Sequence, residues 1–240
     1  MPNRNNLTTL ITREWLLLLV LAAPFVFLVY VWPQIPDRVP IHFNASFTPD
    51  GWMSKDAGTL LLPLSNVFTI LLVRVWFRFD PKMAKCSTET REMVGRVLQQ
   101  CLMASALLLS CLSIAIVWAA WGRIEPVIQV MLYGIPLLLT VMGNGMGKLR
   151  PNYTIGIRLP WTLRSAAVWN RTHRFAGTLL VTTGTVLFGL VALGMDKGLF
   201  LVVLLSALAI WTVAVVAYAF AQSRSETAAI DHGSAIPPAH

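Results

Sequence analysis

LFLVVLLSALAIWTVAVVAYAF, residues Leu199 to Phe220, runs for 22 residues without a charged side chain. A helix of that length rises about 33 Å at 1.5 Å per residue, enough to cross the roughly 30 Å hydrocarbon core of a bilayer. The run is therefore read as a membrane span. Five further apolar runs have comparable length: Trp15 to Trp32, Gly58 to Phe77, Val97 to Trp121, Val127 to Met146 and Phe175 to Leu193. The set predicts an all-α polytopic membrane protein with six transmembrane helices. Composition agrees, with 56% hydrophobic residues, 12% charged residues and a mean hydropathy of +0.65. The first run is read as a retained anchor, because no small-x-small cleavage site follows it at VYVWPQIP.

Charge sets the expected orientation. Fifteen of the 19 basic residues fall in segments on one side of the six spans, leaving Arg38, Lys55, Arg123 and Lys197 on the other. By the positive-inside rule both termini are expected in the cytoplasm. The net charge of +8 then reads as cytoplasmic loops facing anionic headgroups rather than as direct nucleic-acid binding. Cys86, Cys101 and Cys111 have no metal-type spacing and imply no disulfide framework.

Between the spans lie the segments where polar chemistry concentrates. A first helical hairpin, residues 1–77, carries an outside loop at 33–57; a four-helix part, 78–222, carries an inside loop at 147–174; the tail 223–240 lacks an apolar pattern and is expected to be disordered. Two short connections, GRIEP and GMDKG, predict tight turns between neighbouring helices. Inside the spans, Pro24, Pro63 and Pro136 remove amide donors, and Asn66 and Asn144 place amides at membrane depth, where they are expected to face other helices. These polar groups admit two readings, a hinged polar cavity or interhelical packing. No carboxylate or lysine occupies the centre of a span, which counts against a proton-coupled pump.

In the inside loop, Thr162 is expected to cap a helix that begins near Leu163 and runs straight into the fifth span. On that helix Arg164, Trp169, Thr172, His173 and Ala176 follow turn-like spacing and are expected to form a stripe near the headgroups. Arg158 is a fixed cation suited to two-point binding of phosphate or carboxylate, and His173, with Arg171 and Arg174 beside it, carries an imidazole able to change charge near neutral pH. Anchoring to anionic lipid and binding of a partner are both compatible with this pattern. In the outside loop, Asp37, His42, Asp50 and Asp56 have metal-ligand chemistry but match no metal-binding spacing, so no metal and no cofactor are expected. The prolines and Gly51 instead predict a cap of turns with a short strand pair around Val39 to Phe43. No metalloprotease helix, phosphate-cradling glycine loop or nucleophile elbow is present, and the chain is not read as an enzyme.

Two stretches carry a family resemblance. Gly143, Asn144, Pro151, Asn152, Gly156, Ile157, Arg158, Pro160, Trp161, Thr162, Leu163, Trp169, Thr172, His173, Arg174 and Gly177 make the chain similar to the SdpI family of bacterial membrane immunity proteins. Leu159 departs from that pattern where a threonine is usual. Pro36, Pro40, His42, Phe43, Asn44, Pro49, Asp50, Gly51, Trp52, Ser54, Lys55 and Pro63 resemble the uncharacterised domain that commonly precedes the SdpI-like part, and Phe47 departs from it where glycine is common nearby. The resemblance covers about Pro36 to Gly177, with the last hairpin matched in hydropathy alone. It implies a multi-pass protein of the bacterial cytoplasmic (inner) membrane that protects against a toxic peptide arriving from the outer side. It also implies a cytoplasmic transcriptional repressor as a candidate partner. Rival readings are a small transporter or lipid-binding protein, which at this size would need to be an oligomer, and an intramembrane enzyme using His42 or His173.

Overall fold

The computed structural model describes residues 4–231, with side chains from 14 to 228. Its elements in chain order are α1 (Arg4–Val31), a 3-10 turn (Trp32–Gln34), β1 (Arg38–Phe43), β2 (Pro49–Ser54), α2 (Lys55–Arg78), α3 (Pro81–Ala84), α4 (Thr88–Ala120), α5 (Glu125–Met146), α6 (Pro160–Arg164), α7 (Ala166–Ala192) and α8 (Lys197–Asp231). Among the described residues six helices are long and apolar enough to cross a membrane, one for each apolar run in the sequence. The chain is a multi-pass membrane protein.

Several helices outlast their apolar runs. α4 starts at Thr88 rather than Val97, because Ser87 accepts the Thr90 amide at 3.3 Å and Glu89 occupies the first turn, where a helix dipole favours an acid. α8 continues to Asp231 instead of giving way to disorder at residue 223. Ser225 and Thr227 return their hydroxyls to carbonyls four residues back, and Glu226 accepts a 2.7 Å hydrogen bond from Ser165. Residues 232–240 of the expected tail lie outside the described residues.

Contacts divide the chain into two compact units, one of residues 1–72 and 102–135, the other of 73–101 and 136–240. In the first unit, β1 and β2 form an antiparallel pair with Arg38 opposite Ser54, Pro40 opposite Trp52 and Phe43 opposite Pro49. The strand pair expected around Val39 to Phe43 is present. Asn44 closes its turn: the side-chain oxygen accepts the Ser46 and Thr48 amides at 2.9 and 3.0 Å, and its carbonyl accepts the Phe47 amide at 2.8 Å. Phe47 sits at φ 58°, the left-handed region that favours glycine. Its ring is 2% exposed, so the burial it gains offsets strain that a glycine would avoid. Below the hairpin, Val39 packs with Leu28, Val31, Ile35 and Val117, and Trp121 donates its indole N–H to Gln34 O at 2.9 Å.

Asn66 faces another helix, as expected. Its amide nitrogen donates to Ala106 O at 3.2 Å and approaches Ser110 Oγ at 3.4 Å, both on α4, while the residue is 2% exposed. Asn144 does the opposite and is exposed, lying two residues before the end of α5 at Met146, where a polar group reaches the span's end. In the second unit, α5 and α7 meet backbone to backbone. A Cβ on Gly143 would lie 2.8 Å from Gly177 O, and one on Gly177 would lie 2.6 Å from Gly143 O, so any larger residue forces the helices apart. Met146, Ala176, Leu180 and Val215 pack around this contact.

Removing the Asn66 amide tests whether it acts as packing glue. Asn66→Ala is expected to lower the unfolding free energy in mild detergent by about 0.6–1.7 kcal/mol. Ser65→Ala, which loses only an exposed local bond to Leu62 O, should leave the chemical-unfolding midpoint in place.

Candidate functional site

The 147–174 segment is an ordered structure built around a residue that the sequence reading did not single out. Asp80, 2% exposed, accepts four hydrogen bonds. Oδ1 takes the Lys82 and Met83 amides at 3.0 and 3.2 Å, capping α3, and Oδ2 takes the Tyr153 amide and the Thr154 hydroxyl at 2.7 Å each. One carboxylate thus ties the α2–α4 connection to a segment more than 70 residues away. Lys82 adds a second tie by donating to Leu163 O at 2.7 Å, with its ammonium 5.0 Å from the Tyr153 ring centre. The signal for Asp80 was legible as Asp-Pro-Lys-Met, an N-cap followed by proline in the first turn.

Asn152 is fully buried and folds the next turn on itself. Its oxygen accepts the Thr154 and Ile155 amides at 2.8 and 2.7 Å, and its nitrogen donates to Arg150 O at 2.8 Å. Gly156 follows at φ 116°, and a Cβ there would run into the His173 imidazole and lie 3.2 Å from the Trp169 ring. Only glycine satisfies both the backbone angle and the space. The closeness permits the Ile157 amide to donate to His173 Nε2 at 2.8 Å. Because that nitrogen accepts, the ring proton sits on Nδ1, 2.9 Å from Trp169 O. His173 is therefore a neutral imidazole with both nitrogens engaged, stacked on Trp169 at 4.0 Å between ring centres, and both residues are fully buried. Trp169 donates in turn to Leu149 O at 3.0 Å.

These contacts correct three expectations. Trp169, Thr172, His173 and Ala176 do share one face of α7, but that face is buried against protein instead of lying near headgroups. Arg164 is not on it, since the helix does not run unbroken from Leu163. α6 ends at Arg164, Ser165 adopts an extended conformation, and its hydroxyl caps α7 by accepting the Val168 amide at 3.2 Å. Thr162 is not the cap. It sits in the third position of α6, where its hydroxyl accepts the Leu159 amide at 3.0 Å and donates to Ile157 O at 2.7 Å. The cap position belongs to Leu159, whose side chain has no acceptor to offer.

The exposed remainder is largely cationic. Arg158 is exposed and donates to Tyr153 O; Pro160, Arg164, Arg171 and Arg174 are exposed as well. Trp161 is half-buried, edge-on to Phe220 at 5.7 Å, with no partner for its indole N–H. The motif therefore divides into buried builders, Asn152, Thr162, Trp169 and His173, with Gly156 half-buried among them, and exposed members, Arg158, Pro160 and Arg174.

The hairpin of the first unit shows a similar division. His42 Nδ1 lies 2.5 Å from Asp50 Oδ1, both exposed, and Trp52 is 44% exposed. Gly51 faces His42 across the pair, where a Cβ would come within 2.7 Å of the His42 Cβ. Pro40 is buried, and Lys55 donates to Trp32 O at 2.5 Å with its ammonium 4.6 Å from the Trp32 ring centre. Asp37 and Asp56 do not join the His42–Asp50 pair, and among the described residues no three His, Cys, Asp or Glu side chains gather to hold a metal.

Two substitutions separate building from acting. His173→Ala is expected to release the Ile157 amide, seen as faster hydrogen exchange at that position, whereas Arg158→Ala should leave that exchange unchanged. Leu159→Thr supplies the missing cap and is expected to raise stability by about 0.5–1 kcal/mol in a chemical-unfolding titration.

Comparison with known proteins places both regions. Residues 148–219 match the SdpI/YfhL protein family, extending into α8 beyond the stretch whose resemblance was legible in motifs. Residues 19–66 match a domain of unknown function, DUF1648. The chain is similar to the immunity protein SdpI of Bacillus subtilis (strain 168), with 21% identity over 170 residues, covering 71% of this chain and 77% of that protein. No solved structure matches. The DUF1648 match thus takes in the hairpin, and the SdpI/YfhL match takes in the Asn152 to His173 fold.

Proposed function

We propose that this protein confers immunity to a membrane-active toxic peptide from within the bacterial cytoplasmic membrane. The similarity to an immunity protein over 170 residues carries the reading, and two separate family matches take in the two ordered polar segments. Fifteen of 19 cations on one side support an orientation with both termini and the 147–174 segment in the cytoplasm. Three spans separate the two polar segments in the chain, so the hairpin falls on the outer side.

In this arrangement the hairpin is the first surface the peptide meets. His42, Asp50 and Trp52 supply a polar pair and an exposed indole, groups suited to a peptide with both apolar and charged parts. The cytoplasmic face then presents Arg158 with Arg164, Arg171 and Arg174 to a partner, in the relevant case an acidic surface of a transcriptional repressor. Catalysis has no role in this scheme. His173, the buried imidazole, holds the segment together.

Survival of toxin-sensitive bacteria expressing the chain tests the proposal. The parent should protect. With membrane levels matched, Trp52→Ala is expected to weaken protection through the outer surface, and Arg158→Ala to weaken any partner-dependent response without unfolding the segment. A well-expressed parent that gives no protection overturns the immunity reading.

A further inference from the structure

An apolar groove of about 390 Å³ opens in the first unit, lined by Phe25, Leu28, Val29, Trp32 and Leu60. Four of these residues come from α1 and the turn that follows, at spacings of three, four and seven, so they form one stripe about 10 Å long on a helix face. Leu60 closes the other wall from the second turn of α2. Leu28 is the buried floor, while Val29 is 80% exposed at the rim. All five lining side chains are hydrocarbon or aromatic, and the stripe lies along the helix that crosses the membrane.

The groove ends at a cation. Trp32 terminates the stripe, and the Lys55 ammonium stands 4.6 Å over its ring centre. Lys55 donates to Trp32 O and forms no ion pair among the described residues, although Asp56 adjoins it in sequence. An ammonium has three N–H donors, so two remain for an incoming acceptor. Trp32 and Lys55 lie at the ends of α1 and α2, the depth at which headgroups meet hydrocarbon.

From this juxtaposition we infer that the groove between α1 and α2 is a binding site for one phospholipid, with an acyl chain along the Phe25–Trp32 stripe and the phosphodiester on Lys55. The chemistry follows from the two ends. Chain methylenes replace apolar contacts along the stripe, and the phosphate oxygen accepts the free Lys55 donors next to an indole that shields the bond from water. An anionic headgroup fits better than a zwitterionic one, since a choline ammonium would stand close to Lys55. The lipid site is independent of immunity, and its readout is lipid retention, so either reading can fail alone.

Native mass spectrometry of the delipidated full chain, titrated with phosphatidylglycerol or phosphatidylcholine, tests this. One phosphatidylglycerol should stay bound to the parent and to Leu61→Trp, whose side chain is exposed outside the groove. Retention should fall roughly fivefold in Lys55→Gln and disappear in Leu60→Trp. Val29→Trp gives the same blockage from the exposed rim without touching packed residues, so a poorly folded Leu60→Trp leaves the test intact. Equal retention by the blocked variants, by Lys55→Gln, or of the two lipids by the parent overturns the assignment, as does a peptide in place of lipid.

Discussion

The Asp80 carboxylate is the contact on which the second unit's polar segment depends. A connection crossing from α5 to α7 has many backbone groups to satisfy, and a segment of this length gains little from helix or sheet ladders of its own. Asp80 solves part of that problem from a distance. Its four bonds satisfy two amides that open α3 and two donors at Tyr153 and Thr154, so the two connections hold one another in place. Charge-assisted bonds of this kind are worth more than neutral ones, and losing them would strand buried donors at a cost of about 1–3 kcal/mol apiece.

The remaining contacts build on that anchor in order along the chain. Asn152 folds the turn next to it, Gly156 permits the backbone to graze the His173 ring, and His173 then receives the Ile157 amide. Trp169 stacks beneath and ties back to Leu149, at the start of the same segment. A loop fixed at Asp80, Asn152 and His173 presents its cations on a rigid support. Such pre-ordering lowers the entropic cost of engaging a partner. The hairpin achieves a comparable result with fewer residues, through Asn44 in the turn and Gly51 across from His42.

Much of this was legible in the sequence, and the reasons differ by element. Six spans follow from length and hydropathy, because few structures other than a bilayer-crossing helix use 20 unbroken apolar residues. The strand pair followed from the prolines and Gly51, which predicted a cap of turns around it. Phe47 and Leu159 mark a left-handed backbone position and a helix start without a side-chain cap. Periodicity placed Trp169, Thr172, His173 and Ala176 on one face, but it cannot say whether a face meets lipid headgroups or protein, and that choice went to protein. The break at Ser165 was hidden because its cap lies inside a pattern that continues on both sides. Asp80 escaped notice for a related reason. Its capping signal is local, whereas its importance comes from partners 73 and 74 residues away.

Hydrogen–deuterium exchange across residues 148–174 in Asp80→Asn, compared with the parent in the same detergent, tests the central claim that this carboxylate orders the segment. An asparagine retains one acceptor oxygen and so cannot serve both connections. With the retained oxygen held by the local α3 cap, the account predicts faster exchange at Tyr153 and the turn after it, with the buried face of α7 still protected. Unchanged exchange at Tyr153 would contradict it, because the segment would then be ordered without Asp80.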